Sequence, residues 1–251
     1  DNTQEIVDLI RSNLSVPEKK ERLNDYHEND IADVLNILTV DERKKLYQLL
    51  GLDKTSEIFS YLEEDVGTYL EELDAERAAD IIESMDSDDA IDALEELEDD
   101  HREEIIALIN SEAKEDIDLI QSFEDDEIGS RMTTNFIVIH NNLTIRQAMR
   151  DLVNQAGEND NISTIYVIDD EEKFYGAIEL QKLIVAREHE DLEDIISRSY
   201  PYVLDHEKIS DCIEKIKDYA EDSIPVLLED GTIAGIITAQ DIVEVVDDEM
   251  G

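Results

Sequence analysis

Cysteine, proline, glycine and basic residues are all scarce in this 251-residue chain, and tryptophan is absent. The single cysteine, Cys212, excludes an intrachain disulfide framework and a cysteine-rich zinc site. On its amphipathic segment it reads as a small buried hydrophobe rather than a nucleophile. Lys and Arg number 21 against 68 Asp and Glu, a formal net charge of −47. So acidic a chain argues against nucleic acid as a partner, because phosphate neutralisation needs a basic surface. It also argues against docking on anionic lipid through a polybasic face. No apolar run approaches the ~20 residues of a membrane helix. No signal peptide stands at the start, which is Asp1 and not a methionine, so the expectation is a soluble piece of something longer. Catalytic motifs (G-x-S-x-G, Walker A, H-E-x-x-H) are missing. His27, His101, His140, His189 and His206 show no ligand spacing, and His27 beside Asp30 suits loop or cap duty. No enzyme is expected.

What is present is a core. Apolar residues make up 41%, too many for wholesale disorder, and the length suits one large or two ordinary domains. The acid is uneven: residues 63–130 carry 28 acidic and three basic side chains. Apolar residues threaded through that stretch disfavour a tail. From about Asp30 to Phe123 short amphipathic segments follow one another at i, i+3, i+4 spacing: IADVLNIL (31–38), ERKKLYQLL (42–50), SEIFSYL, VGTYLEEL, RAADIIESM, AIDALEEL, REEIIALI and KEDIDLIQSF. Asp30, Asp41, Thr55, Asp65, Asp74, Asp88 and Asp100 read as their caps. No helix of ten to twelve residues buries its apolar face alone, so a stacked superhelix is expected. The repeat is too degenerate to give a period.

At residue 131 the pattern changes. β-branched runs (FIVI 136–139, STIYVI 163–168, YPYV 200–203, SIPVLL 223–228, TIAGIIT 232–238) alternate with helix-like segments, an α/β signature. The half is duplicated. Residues 164–184 align without gaps on 223–243, placing Gly176 on Gly235 and Val167 on Val226. Residues 136–149 align on 200–213. Each copy of about sixty residues reads strand, helix, hairpin, helix, with Glu229-Asp230-Gly231 as the second hairpin's turn. So small a unit buries little surface by itself, so the copies should pair.

Gly235-Ile236-Ile237-Thr238-Ala239-Gln240-Asp241, preceded by Ile224-Pro225-Val226, resembles the end of a CBS domain, and the tandem copies resemble a CBS pair. The acidic helical half contains Met85-Asp86-Ser87-Asp88-Asp89-Ala90 and ends in Gly129-Ser130-Arg131-Met132-Thr133-Thr134. Together these resemble the cytosolic region of MgtE magnesium channels. The resemblance implies an α plus α/β multidomain chain: an all-α superhelical N domain over 1–130, CBS domain 1 over 131–190 and CBS domain 2 over 191–251. It also implies a homodimer through the CBS domains and a C-terminal transmembrane pore beyond this chain. The chain would then lie at the cytoplasmic face of the cell membrane. There Mg²⁺, bound between the domains, would favour a compact closed state.

Mg²⁺ is a hard cation that takes oxygen ligands and keeps several waters, which suits an acidic chain without a His or Cys site. Asp88 and Asp92, at i, i+4, share one helix face, where like charges repel unless a cation intervenes. The resemblance makes both metal ligands; capping by Asp88 is the plain alternative. The C-terminal segment offers Asp241, Glu244, Asp247, Asp248 and Glu249, of which Asp241, Glu244 and Asp248 share a face. Asp241, Glu244 and Glu249 match the family's metal positions, and a solvated helix face is the alternative. Where the family has another acidic ligand this chain has Ala220, with Glu221 or Asp222 as substitutes. An EF-hand starting at Asp86 fails, because Ile91 and Leu97 stand where glycine and glutamate are required.

CBS pairs also bind adenine nucleotides such as ATP. In copy two the Thr238 hydroxyl and the Asp241 carboxylate would hold phosphate and ribose, unless Thr238 only caps a helix. In copy one Glu179 and Lys182 replace them, so that site is expected to be lost. The alternative to Mg²⁺ sensing is thus an adenine-nucleotide-sensing CBS module carrying a helical scaffold for protein contacts.

Overall fold

The computed structural model describes residues 2–250, and side chains as far as Asp248. The chain forms two compact units, residues 1–85 with 89–115, and residues 86–88 with 116–251. The first unit is helical: α1 (Thr3–Arg11), α2 (Val16–Leu23), α3 (Glu28–Ala32), α4 (Val40–Leu50), α5 (Leu52–Ser60), α6 (Val66–Glu71), α7 (Ala75–Ser84), α8 (Ser87–Glu95), α9 (Asp99–Leu108) and α10 (Ser111–Gln121). The last two turns of α10 and the start of α8 belong to the second unit. Packing skips a helix, α3 on α5, α5 on α7 and α7 on α9, around Ile31, Leu35, Ile58, Phe59, Leu70, Ile81, Ile82 and Ile105.

The period that the sequence withheld appears in side-chain hydrogen bonds between residues 26 to 29 apart. Glu28 accepts from Lys54, Glu72 from Arg43, Glu96 from the Gly67 amide, Glu71 from the Glu98 amide and Glu83 from the Asn110 amide. The last three place a carboxylate at a helix N-terminus, where amides lack intrahelical partners and the dipole favours negative charge. Part of the acid is therefore structural. Gly67 is required there, since a Cβ would lie 2.3 Å from that of Glu96.

Two sequence expectations change. The 31–38 segment is not one helix: α3 ends at Ala32 and a string of turns follows. The buried Arg43 is the cause. Its guanidinium donates to the carbonyls of Leu35 (3.1 Å) and Leu38 (2.6 Å), pairs with Glu72 and lies 5.0 Å from the Tyr69 ring centroid. The caps also move. Asp74 caps α7 as expected, and Asp65 sits at the N-cap of α6 without a side-chain cap bond. His27 and Thr39 cap α3 and α4, Gly51 starts α5 and Glu98 precedes α9, so Asp30, Asp41, Thr55 and Asp100 lie inside their helices. Asp88 lies inside α8, one residue after its start. Thr39 and Glu42 form a reciprocal capping box that a reading for acidic caps passes over.

The second unit holds two three-stranded sheets. In the first, β1 (Ile137–His140) pairs in parallel with β2 (Thr164–Ile168), which pairs antiparallel with β3 (Phe174–Glu179). Between and after them lie α11 (Ile145–Ala156) and α12 (Leu180–Val185). The second sheet repeats this with β4 (Val203–Leu204), β5 (Ser223–Leu227) and β6 (Ile233–Thr238), with α13 (Ile209–Ile216) and α14 (Ala239–Met250). The duplication extends to register. Val167 faces Gly176 and Val226 faces Gly235, and each strand shifts register at the next residue.

Those glycines are where the copies lock together. The segment before copy one bridges copy two (Thr133 to Ile236), and the segment before copy two bridges copy one (Ser197 to Ala177). A Cβ on Gly176 would lie 2.5 Å from the Ser197 carbonyl oxygen, and one on Gly235 2.9 Å from that of Thr133. β2 is buried on both faces. Ile165 and Val167 lie in a core with Ile137, Ile145 and Leu183, while Tyr166 packs with Ala177 and Ile236 of the other copy. Cys212 is buried on α13, and burial pushes its thiol up to about 12, as befits a core residue.

Candidate metal centre

Acidic side chains cluster at the start of α8, and one of them, Asp86, acts electrostatically on Asp241 of α14. The turn 86–88 is anchored within the second unit by polar side chains. Asn135 donates to Asp86 Oδ1 (2.5 Å), and its own Oδ1 accepts from the Asp160 amide (2.8 Å). The Ser87 and Thr134 hydroxyls lie 2.9 Å apart, and Thr134 donates to Asp116 Oδ2 (3.0 Å). Asn161 donates to the Asn135 carbonyl (2.7 Å), which holds the Asn159-Asp160-Asn161 loop against the turn.

Burial raises the carboxyl of Asp86 above its ordinary range, and the neighbouring Asp160 adds to the rise. Burial likewise raises Asp241, with Glu244 and Asp86 pushing the same way. Asp86 and Asp241 thus stand within each other's electrostatic reach. Asp86, Asp88 and Asp89, around the first turn of α8, each offer one oxygen within 4.8 Å of the others. The donor set is all oxygen and holds no imidazole or thiolate, which matches hard cations and not zinc.

The sequence candidates divide. Asp88 joins this cluster, and Asp241 feels the charge of Asp86 from it and of Glu244 on its own helix. Asp92 is exposed farther along α8 and is not a member of the cluster. Asp247 and Asp248 are exposed, and Asp248 pairs with Arg131 at 3.3 Å. The side chain of Glu249 lies outside the described residues. The Thr238 hydroxyl accepts from the Asp241 amide (3.2 Å), and the Asp241 carboxylate lies 3.5 Å from the Thr238 amide, a reciprocal arrangement at the start of α14.

Asp86, Asp116, Asn135 and Asp160 are not site candidates from the sequence. Asp86 enters there only as the first position of an EF-hand that fails, although it belongs to the motif that carries the resemblance. Asp160 sits in a polar loop with no pattern to mark it. A cavity of about 230 Å³ lies between the end of β3 and start of α12 in copy one and the 195–201 segment of copy two, lined by Glu179, Lys182, Ser197, Tyr200, Pro201 and Glu221 among others. This is where loss of a nucleotide site was expected.

The MgtE intracellular N domain profile matches residues 26–126, and the CBS domain profile matches 126–189 and 192–248. The magnesium transporter MgtE of Enterococcus faecalis is 37% identical over 241 residues, 92% of this chain and 53% of that protein. That of Thermus thermophilus is 26% identical over 142 residues, 57% of this chain and 32% of that protein. The chain thus spans about half the length of the first of these curated relatives and less of the second. The crystal structure of the soluble part of a magnesium transporter matches with a TM-score of 0.90 at 30% identity, covering 100% of this chain and 98% of that one. The cytosolic domain of the Mg²⁺ channel MgtE in complex with ATP matches with a TM-score of 0.83 at 26% identity, covering 97% and 98%. On the sequence profiles and the shared fold together, this chain belongs to the MgtE family and carries its intracellular N domain followed by two CBS domains.

Proposed function

We propose that this chain is the cytosolic Mg²⁺-sensing and gating region of a magnesium transporter or channel. In this reading the division is 1–130, 131–190 and 191–251, and Mg²⁺ bridges acidic residues of the N domain and the CBS domains. The observation that carries it is the pair Asp86 and Asp241, both raised by burial, with the Asp86 carboxylate adding to the rise of Asp241. At ~4 Å, two like charges near a surface cost about 4 kcal/mol. A divalent cation shared between them reverses the sign. Because a shared site exists only when both sides meet, ligand binding shifts the equilibrium toward the closed arrangement. Asp88, Asp92, Asp241 and Glu244 are its ligand candidates, with Asp247, Asp248 and Glu249 farther along α14. The homodimer belongs to the same reading. Ile184 and Val243, which occupy equivalent places in the two copies, are 59% exposed each, and Val185 beside them 68%. A second chain packed there would cover them.

A second reading rests on the cavity beside Glu179 and Lys182, which Ser197 and Ser199 also line, and on the relative solved with ATP. An adenine nucleotide bound there, or at Thr238 and Asp241, would make the CBS pair a nucleotide sensor.

One experiment separates the readings. Small-angle scattering at fixed ionic strength compares MgCl₂, KCl and ATP without metal. The first reading expects the radius of gyration to fall with millimolar Mg²⁺ alone, and the Asp88→Ala, Asp92→Ala double variant to weaken that response about tenfold or more. An unchanged Mg²⁺ response in the variant removes the ligand assignment. Compaction by ATP alone, lost in Lys182→Gln, selects the second reading.

A further inference from the structure

Acidic residues outnumber basic ones by 68 to 21, so a lysine or arginine without an acidic neighbour is unexpected. Yet Lys19, Lys20 and Arg22 of α2, and Lys44 and Lys45 of α4, form no ion pair among the described residues. Two of them, Lys19 and Lys45, line a cavity of about 320 Å³ walled by α1, α2 and α4. This lies within the roughly 300–1,000 Å³ of small-molecule sites.

The rest of the lining defines what fits. Ile10, Leu23, Leu46 and Leu49 give aliphatic surface, and no aromatic ring is present on which a base could stack. Arg11 and Glu42 also line the cavity but satisfy each other through two bonds of 2.8 and 3.2 Å, so they add no net charge. Lys19 donates to the Ile10 carbonyl at 3.0 Å, which fixes its ammonium at the wall and leaves its two other protons for a ligand. The cavity therefore presents two free positive charges above an apolar floor.

We propose that this cavity binds an anionic amphiphile, its phosphate or carboxylate head held by Lys19 and Lys45 and its aliphatic chain lying on Ile10, Leu23, Leu46 and Leu49. A polyphosphate nucleotide does not suit it, having too much charge for two cations and a base with nothing to stack on. The site is independent of the acidic centre.

The test is a methyl NMR titration of the Ile- and Leu-labelled chain with octyl phosphate at constant ionic strength. Saturable shifts are expected at Ile10, Leu23, Leu46 and Leu49. Octanol and inorganic phosphate, each supplying one half of the ligand, should bind about tenfold more weakly or less. Lys19→Gln and Lys45→Gln should each weaken octyl phosphate binding about tenfold, the effect of one charged hydrogen bond. Arg146→Gln, which removes a second-unit cation that forms no ion pair among the described residues, should leave it unchanged. Lys45 is exposed and Lys19 half-buried, and an unaltered methyl spectrum without ligand will show that the variants fold. Phosphatidylglycerol vesicles that broaden the same four methyl signals, where phosphatidylcholine vesicles do not, would support the site and name a bilayer as the source of the head group. If neither octyl phosphate nor octanoate moves these methyls at millimolar concentration, or if the lysine variants bind as the native chain does, the proposal is overturned.

Discussion

At the residue scale, single positions show where local chemistry overrides pattern. Gly231 turns the second hairpin with φ of 88°, and Glu172 occupies the equivalent place in the first with φ of 64°. A left-handed conformation costs a side-chain-bearing residue about 1–2 kcal/mol, which glycine avoids at the expense of greater freedom when unfolded. Glu172→Gly should therefore stabilise the chain by about 0.5 kcal/mol, read as a higher urea midpoint at unchanged slope. His206 carries a pH dependence. Its Nδ1 lies 2.6 Å from Glu127 Oε2, its ring is 5.0 Å from that of Phe123, and Asp205 and Glu229 add to the negative surroundings. The hydrogen bond to Glu127 raises His206 above 6.5. A backbone bond from Glu124, and then the bond to His206, lower Glu127 below 4.5. The histidine term is complete below pH 6.5 and fades as pH rises through the folded value. The glutamate term is complete above pH 4.5 and fades as pH falls. The stability difference between native and His206→Gln should thus peak between about pH 4.5 and 6.5, measured by melting across pH. A flat difference would exclude the pair as a contributor.

At the element scale, Arg43 organises the turns between α3 and α4. It is 9% exposed and serves Glu72 together with two carbonyls that a continued helix would have turned along its own axis. Arg43→Met leaves the Glu72 carboxylate buried without its cation and both carbonyls without this donor. We expect a loss of about 3–5 kcal/mol, partly restored by adding Glu72→Gln, from chemical denaturation of the single and double variants. Most helix positions from Asp30 to Phe123, though not α1 and α2 before them, and the strand–helix–hairpin–helix order of each copy were legible, because both rest on the spacing of apolar residues. The break in 31–38 was not. Nothing in IADVLNIL announces that its carbonyls will meet a guanidinium from the next helix. Capping by Thr39 was readable from its Glu three residues later, and attention to acidic residues hid it.

At the scale of the whole molecule, net charge decides how the chain responds to ions. At ~0.15 M salt the Debye length is about 8 Å, so ordinary salt weakens repulsion among surface carboxylates but acts less on half-buried ones. Asp86 and Asp241 are of the second kind. A folded carboxylate raised above its unfolded value costs stability at neutral pH, and removing its charge relieves that cost. The Asp86→Asn, Asp241→Asn double variant should therefore melt higher than the native chain in chelator. Its stabilisation by Mg²⁺ should shrink below the about 1.4 kcal/mol that a single site gives at ten times its dissociation constant. A variant that melts lower in chelator and gains as much from Mg²⁺ would place the cation elsewhere.

The amino-acid sequence by itself determined the helical half, the duplicated β–α–β–β–α half and the family. Apolar spacing, a gap-free internal alignment and short motifs are properties of neighbours along the chain. It also offered Asp88 with Asp92, and Asp241 with Glu244 and Asp248, as ligand candidates, because helical spacing is local. The tertiary structure decided the rest: the rungs 26 to 29 residues apart, the exchange of the 132–134 and 196–199 segments across Gly235 and Gly176, and the placing of Asp86 within electrostatic reach of Asp160 and of Asp241. Those contacts join residues distant in sequence. Their strength comes from burial and low local dielectric, which exist only once the chain has folded.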